Sequence, residues 1–84
     1  MNVEIYTKDN CSYCSAAKAL LTTKNLAFAE HKLGIHFTRE MLLEKFPMAQ
    51  TFPVIVVDNF YIGGYNQLRE ELDKSNGTQQ FLSE

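Results

Sequence analysis

Phe52-Pro53-Val54-Ile55-Val56-Val57 is an unbroken apolar run, four of its six residues β-branched. Successive side chains of a strand point to opposite faces, so a strand of this composition needs cover on both of them. The run therefore predicts a central strand in a sheet with helices on each side. Eighty-four residues at 45% hydrophobic and 21% charged suit one small domain. Its core should bury roughly 60–65% of the unfolded surface, enough to fold without a metal or a set of disulfides.

The other segments fall into place around that strand. Val3 and Ile5 alternate with Asn2, Glu4 and Tyr6, predicting a first strand over Val3–Thr7. Ala16, Ala17, Leu20 and Leu21 give one apolar face of a helix over Ser15–Lys24, closed by Lys24-Asn25. Leu26–Leu33 reads as a strand ended by Gly34. Thr38 is an N-cap for a short helix whose stripe is Phe37, Met41, Leu42 and Phe46, stopped by Pro47. After the central run, Asp58-Asn59 signals a turn into Phe60-Tyr61-Ile62, its hairpin partner. Gly63-Gly64 breaks that strand, and Tyr65, Leu68 and Leu72 mark a third helix stopped at Asn76-Gly77. The order is β-α-β-α-β-β-α: an α/β fold with a four-stranded mixed sheet and three helices. It forms one domain over residues 1–84, in which 75–84 is a tail that docks or frays.

A net charge of −2 without a Lys/Arg run argues against nucleic acid or an anionic membrane as partner. No basic region precedes an apolar stretch near Met1, and no segment approaches the roughly 20 apolar residues of a membrane span. The expectation is a soluble, cytoplasmic protein.

The only two cysteines lie in Cys11-Ser12-Tyr13-Cys14, at the junction of the first strand and the first helix. A bond between them closes so short a loop that it constrains the unfolded chain little, so it is better explained by redox chemistry than by stability. At the helix start, free N–H groups stabilise a thiolate at Cys11. Lys8 adds a nearby cation and Asp9 opposes it. Cys14, one turn on, lies on the same side and can attack a mixed disulfide formed at Cys11. Buried structural cysteines are a poorer account of a motif with polar surroundings.

Zinc is the other chemistry that the spacing permits, since His31 and His36 follow the cysteines at nearly finger-like intervals. His31 falls in a strand and Gly34 separates it from His36, so the pair does not share a helix face. No metal is expected. Pro53 cannot donate to a sheet ladder. A cis Phe52-Pro53 bond would leave the Phe52 backbone free to pair with an extended ligand beside the cysteines. Gly63-Gly64 allows close approach, and the N–H groups of Tyr65 and Asn66 then offer a carboxylate site at a helix start.

Tyr6-Thr7-Lys8, Cys11-Ser12-Tyr13-Cys14, Thr51-Phe52-Pro53 and Gly63-Gly64-Tyr65, in this order, resemble the glutaredoxin family over Val3 to about Lys74. The resemblance implies a thioredoxin-like fold, glutathione as co-substrate, and reduction of protein disulfides and glutathione mixed disulfides. By position, it makes Cys11 the nucleophile and Cys14 the resolving thiol. It assigns Lys8 and Gln50 to the glycine-end carboxylate of glutathione, the Phe52 backbone and cis Pro53 to the cysteinyl part, and Tyr13 to the flank of the sulfur. Gly64, Tyr65 and Asn66 would hold the γ-glutamyl end.

Three positions depart from the family pattern. Ser12 stands in place of a usual proline, loosening the first helical turn. Phe52 replaces valine and narrows the groove, and Asn66 replaces aspartate, so a neutral hydrogen bond takes the place of an ion pair. The leading expectation is a monomeric dithiol enzyme, with ribonucleotide reductase a client that the family, and no residue of this chain, suggests. The alternatives are a 2Fe-2S cluster held between two subunits, which Ser12 brings into view, and a redoxin fed by a flavoprotein reductase.

Overall fold

The computed structural model describes the backbone of residues 2–82 and the side chains of residues 2–73. Seven elements follow one another: β1 (Val3–Thr7), α1 (Ser12–Thr23), β2 (Phe28–Lys32), α2 (Arg39–Lys45), β3 (Val54–Val57), β4 (Phe60–Gly63) and α3 (Tyr65–Leu82). The sheet order is β2-β1-β3-β4. β1 runs parallel to β2 and antiparallel to β3, and β3 runs antiparallel to β4, so the sheet is mixed as expected. A parallel neighbour requires a crossover, which α1 supplies.

Both faces of β1 and β3 are covered. On one face Val3, Ile5 and Ile55 meet Ala17 and Leu21 of α1 and Leu68 and Leu72 of α3. On the other Tyr6, Val54 and Val56 meet Phe37, Leu42, Phe46 and Ala49. Ile5, Leu21 and Ile55 are fully buried, each stabilising the fold by about 1.5–3 kcal/mol through apolar transfer.

Four sequence expectations need correction. α1 begins at Ser12 rather than Ser15, because Cys11 itself is the cap: its Sγ accepts from the Cys14 N–H at 3.1 Å. Met41 does not join the core stripe but is 55% exposed. The seven-residue α2 presents only the Leu42 line to the sheet, and Ala49 of the following loop completes the contact. The strands of the second and central runs are shorter than read, with Leu33 making only an isolated bridge to Phe37 and Phe52 and Pro53 lying ahead of β3. Finally, α3 continues through Asn76-Gly77 to Leu82. One glycine costs a helix only about 1 kcal/mol relative to alanine, a weakening that does not by itself stop it. The side chains of the tail, including Phe81 and Leu82, lie outside the described residues.

The turns follow local chemistry. Asn25 has φ 59° after α1, and the Asn25 and Leu26 N–H groups bond back to Thr22 and Leu21, a Schellman closure. Asp58 and Asn59, at φ 50° and 70°, make the two-residue hairpin between β3 and β4.

Candidate active site

Cys11 and Cys14 are joined as a disulfide with their Cα atoms 5.2 Å apart. The two sulfurs are unequally placed: Cys14 is 2% exposed against the core, while Cys11 is half-buried at the surface. The asymmetry follows from the helix, which turns the side chain of its third residue inward and leaves the cap outside.

Two clefts meet the motif, one lined by both cysteines and the other by Tyr13 between them. One, about 500 Å³, is lined by Cys11, Cys14, Lys8, Asp9, Lys18, Glu30 and Lys32, among others. Its charges are mostly matched. Lys32 Nζ lies 2.9 Å from Asp9, and that carboxylate holds the Lys32 ammonium above its ordinary pKa. Glu30 Oε2 accepts from Thr7 Oγ1 at 2.7 Å and from Lys18 Nζ at 3.0 Å. The Thr7 hydrogen bond, followed by that from Lys18, holds the Glu30 carboxyl below its ordinary value against the opposing effect of burial. Asp9, which sequence alone set against Lys8, is thus engaged across the sheet edge with β2.

The other cleft, about 240 Å³, brings together Tyr13, Phe52, Pro53, Gly64, Tyr65 and Asn66 with Thr51 and Gln67. The Phe52-Pro53 peptide is cis. The Tyr13 and Tyr65 rings lie tilted at 5.7 Å across this cleft. Gly64 is placed by Gln67, whose Oε1 accepts the Gly64 N–H at 2.9 Å. Among the described residues no acceptor takes up the next N–H groups of the helix start, those of Tyr65 and Asn66.

Gln50 lies in a third hollow, about 130 Å³, which also borders Phe52 and contains Arg39. Phe52 therefore connects the sites. Its ring faces Lys8 Nζ at 5.8 Å and the Arg39 guanidinium at 5.9 Å.

The histidines sit elsewhere. His31 Nε2 is 3.1 Å from Glu4 Oε1, and its ring lies against Tyr6 at 4.7 Å. His36 Nδ1 accepts the Lys32 N–H at 2.8 Å. Each is committed to the edge of the sheet.

Sequence reading missed Arg39, Gln67 and the Thr7-Glu30-Lys18 cluster. Gln67 had a signal, since an amide three residues after the cap is where a side chain can return to the cap N–H. Arg39 and Glu30 had none beyond their charge.

A family model described as Glutaredoxin matches residues 3–62. The chain is 38% identical over 81 residues to Glutaredoxin 3 of Escherichia coli K12, covering 96% of each. Among solved structures it is similar to glutaredoxin 1 of Francisella tularensis complexed with cacodylate, at TM-score 0.76 and 29% identity over 90% of this chain and 96% of that one. Reduced Escherichia coli glutaredoxin superimposes with TM-score 0.71 and 29% identity, over 88% and 95% of the two chains.

Proposed function

The chain belongs to the glutaredoxin family of thiol–disulfide oxidoreductases, and from that premise we propose that it takes electrons from glutathione and passes them to glutathione mixed disulfides and protein disulfides. The observation that carries this reading is the position of Phe52. It borders both the cleft at the start of α3 and the hollow holding Gln50, and Lys8 stands over its ring. Glutathione is a tripeptide with a carboxylate at each end. The open N–H groups of Tyr65 and Asn66, with the Asn66 side chain, suit its γ-glutamyl end, and Lys8 with Gln50 suits its glycine end. The Phe52 backbone would hold the cysteinyl part between them, with Tyr13 beside the sulfur.

The burial asymmetry sets the order of exchange. An incoming thiolate reaches the half-buried Cys11, whereas Cys14 is covered. Glutathione thiolate attacks Cys11 Sγ, forming a mixed disulfide and releasing Cys14 as a thiol. A second glutathione attacks the glutathione sulfur, leaving glutathione disulfide and a reduced Cys11. In the forward direction the Cys11 thiolate attacks a client disulfide, and Cys14 then attacks Cys11 Sγ, re-forming the internal disulfide and releasing the client as a dithiol. Each cycle moves two electrons. The Cys14 N–H, already directed at Cys11 Sγ, favours the thiolate that the forward step needs.

Ribonucleotide reductase is among the clients that this two-cysteine route would serve, the groove on a single chain suits a monomer, and a dithiol donor suits a reducing compartment such as the cytoplasm. Among the described residues no helix is long and apolar enough to cross a membrane. Among the described residues no group of three or more His, Cys, Asp or Glu side chains is placed to hold a metal, and nothing in the site favours the 2Fe-2S cluster between two subunits that Ser12 brings into view over the glutathione reading.

The test is turnover of a small glutathione mixed disulfide by the reduced protein, with glutathione and its reductase supplying electrons. Saturable turnover is expected. Its absence, together with activity when a flavoprotein reductase replaces glutathione, would overturn the reading in favour of a reductase-fed redoxin.

A further inference from the structure

Reduction of the disulfide adds two electrons and one proton and leaves Cys11 as a thiolate and Cys14 as a thiol, so one negative charge appears at the Cys11 sulfur. Whatever surrounds that sulfur then decides how readily the chain gives its electrons up. An unmatched cation stabilises the reduced form and makes the couple more oxidising. We propose that the Lys18–Glu30 ion pair sets the reduction potential of the cysteine couple, Glu30 cancelling a cation near the forming thiolate so that the chain remains an electron donor. The thiol–disulfide activity of the family suffices for this, whichever thiol supplies the electrons.

The cleft that both cysteines line also holds Lys8, Lys18 and Lys32 with Asp9 and Glu30, so without the two carboxylates three positive charges would face the sulfurs. Lys18 stands four residues after Cys14 in α1, and therefore on the same side of the helix. Ile5 packs against Ala17 and Leu21 of α1, and the parallel register sets Glu30 opposite Ile5. That puts the Glu30 carboxylate on the α1 side of the sheet, 3.0 Å from Lys18 Nζ. Glu30 is also held there without Lys18, because the hydroxyl of Thr7, a residue 1% exposed, donates to the same oxygen at 2.7 Å. These hydrogen bonds, that of Thr7 first, keep the Glu30 carboxyl below its ordinary pKa, and it stays charged throughout the neutral range. In the Lys32–Asp9 pair the carboxylate is 77% exposed against 31% for Glu30, so solvent screens that pair more. Lys8, set over the Phe52 ring, makes no ion pair among the described residues and is the cation left to favour the thiolate.

The experiment mixes the reduced wild-type chain with each oxidised variant, a trace of dithiothreitol serving as mediator, and reads the thiol fractions of both by alkylation and mass spectrometry. Glu30→Gln keeps an acceptor for Thr7 and leaves Lys18 unmatched. It should draw electrons from the wild type with an equilibrium constant of about three to ten, a potential higher by about 15–30 mV. Lys18→Gln leaves Glu30 unmatched and should shift the equilibrium the opposite way by a similar factor. The double variant and Lys18→Arg should both stay within about twofold of the wild type. The Cys11 thiol, followed by thiolate absorbance, should titrate lower in Glu30→Gln and higher in Lys18→Gln, and added salt should shrink each shift. A merely structural role for the pair moves both single variants in one direction or neither, and either result overturns the proposal. Lys18 lies at the helix surface with its side chain 36% exposed, so its two variants give the answer even if Glu30→Gln does not fold. No glutathione enters these equilibria, and a chain that fails to turn over glutathione substrates defeats the glutathione reading alone.

Discussion

Cys11 Sγ lies 3.1 Å from the backbone nitrogen of Cys14 and serves as the N-cap of α1. The side chain that starts the helix is thus also the sulfur available to solvent. Its partner, one turn further on, is 2% exposed. Cap and covered residue have different access to a substrate, and the two cysteines should separate under mutation.

Cys11→Ser should lower both glutathione mixed-disulfide and protein-disulfide turnover by about a hundredfold or more, since a missing nucleophile cannot be replaced by its neighbours. Cys14→Ser should retain the first activity, in which a second glutathione resolves the intermediate, and lose the second. Parallel coupled assays on the two substrates check this, and robust turnover by Cys11→Ser would refute the assignment.

Glu30 gives the fold a pH dependence of known sign. Its carboxyl is held below the ordinary value first by the Thr7 hydrogen bond and then by Lys18. A depressed folded pKa contributes stability that is present above the unfolded value, about 4.3 for glutamate. That contribution disappears as pH falls through the lower folded value. Glu30→Gln should therefore flatten the loss of stability below about pH 4. Thr7→Val, which removes a donor at a position 1% exposed, should cost about 1–2 kcal/mol at pH 7. Urea unfolding followed across pH 3 to 7 for the three proteins measures both effects.

Gly63 holds φ 123°, and a Cβ there would meet Gln67 Cγ at 2.6 Å. Gly63→Ala should cost about 1–3 kcal/mol, from backbone strain and from displacing the side chain that accepts the Gly64 N–H. Gln67→Ala alone should cost about 0.5–1 kcal/mol. The double substitution should cost less than the sum, because removing the Gln67 side chain relieves the clash and leaves only the φ penalty. Full additivity in a thermal or denaturant double-mutant cycle would show that the contact does not form.

Leu21 and Met41 test which apolar residues carry the core. Leu21 is 0% exposed and Met41 55%. Leu21→Ala should destabilise by about 2–5 kcal/mol, whereas Met41→Ala should fall within about 0.5 kcal/mol of the starting protein. Chemical denaturation midpoints at constant slope decide it.

The amino-acid sequence determined the element order, the two-faced central strand, the position of the cysteine pair at a strand-to-helix junction, and the family. Each of these is written in local spacing: four β-branched or apolar residues in succession, apolar positions one helical turn apart, glycines and Asn-containing turns between them. Local spacing also told where a proline or a pair of glycines interrupts the regular structure. It misread Met41 because a helical stripe says which residues share a face, but not how much of that face the sheet reaches. It began α1 one turn late because a cysteine is an uncommon cap.

Only the tertiary structure decided how the charges are shared out. Asp9 stands next to Lys8 in sequence but pairs with Lys32, 23 residues away, at 2.9 Å. Glu30 joins Thr7 and Lys18 because parallel pairing of β1 with β2 brings the three together. The Phe52 ring meets Lys8 and Arg39, which stand 44 and 13 residues before it in the chain. Coulombic and hydrogen-bonding energies depend on distances through space, and those distances are set by strand register and helix placement, which no local pattern encodes.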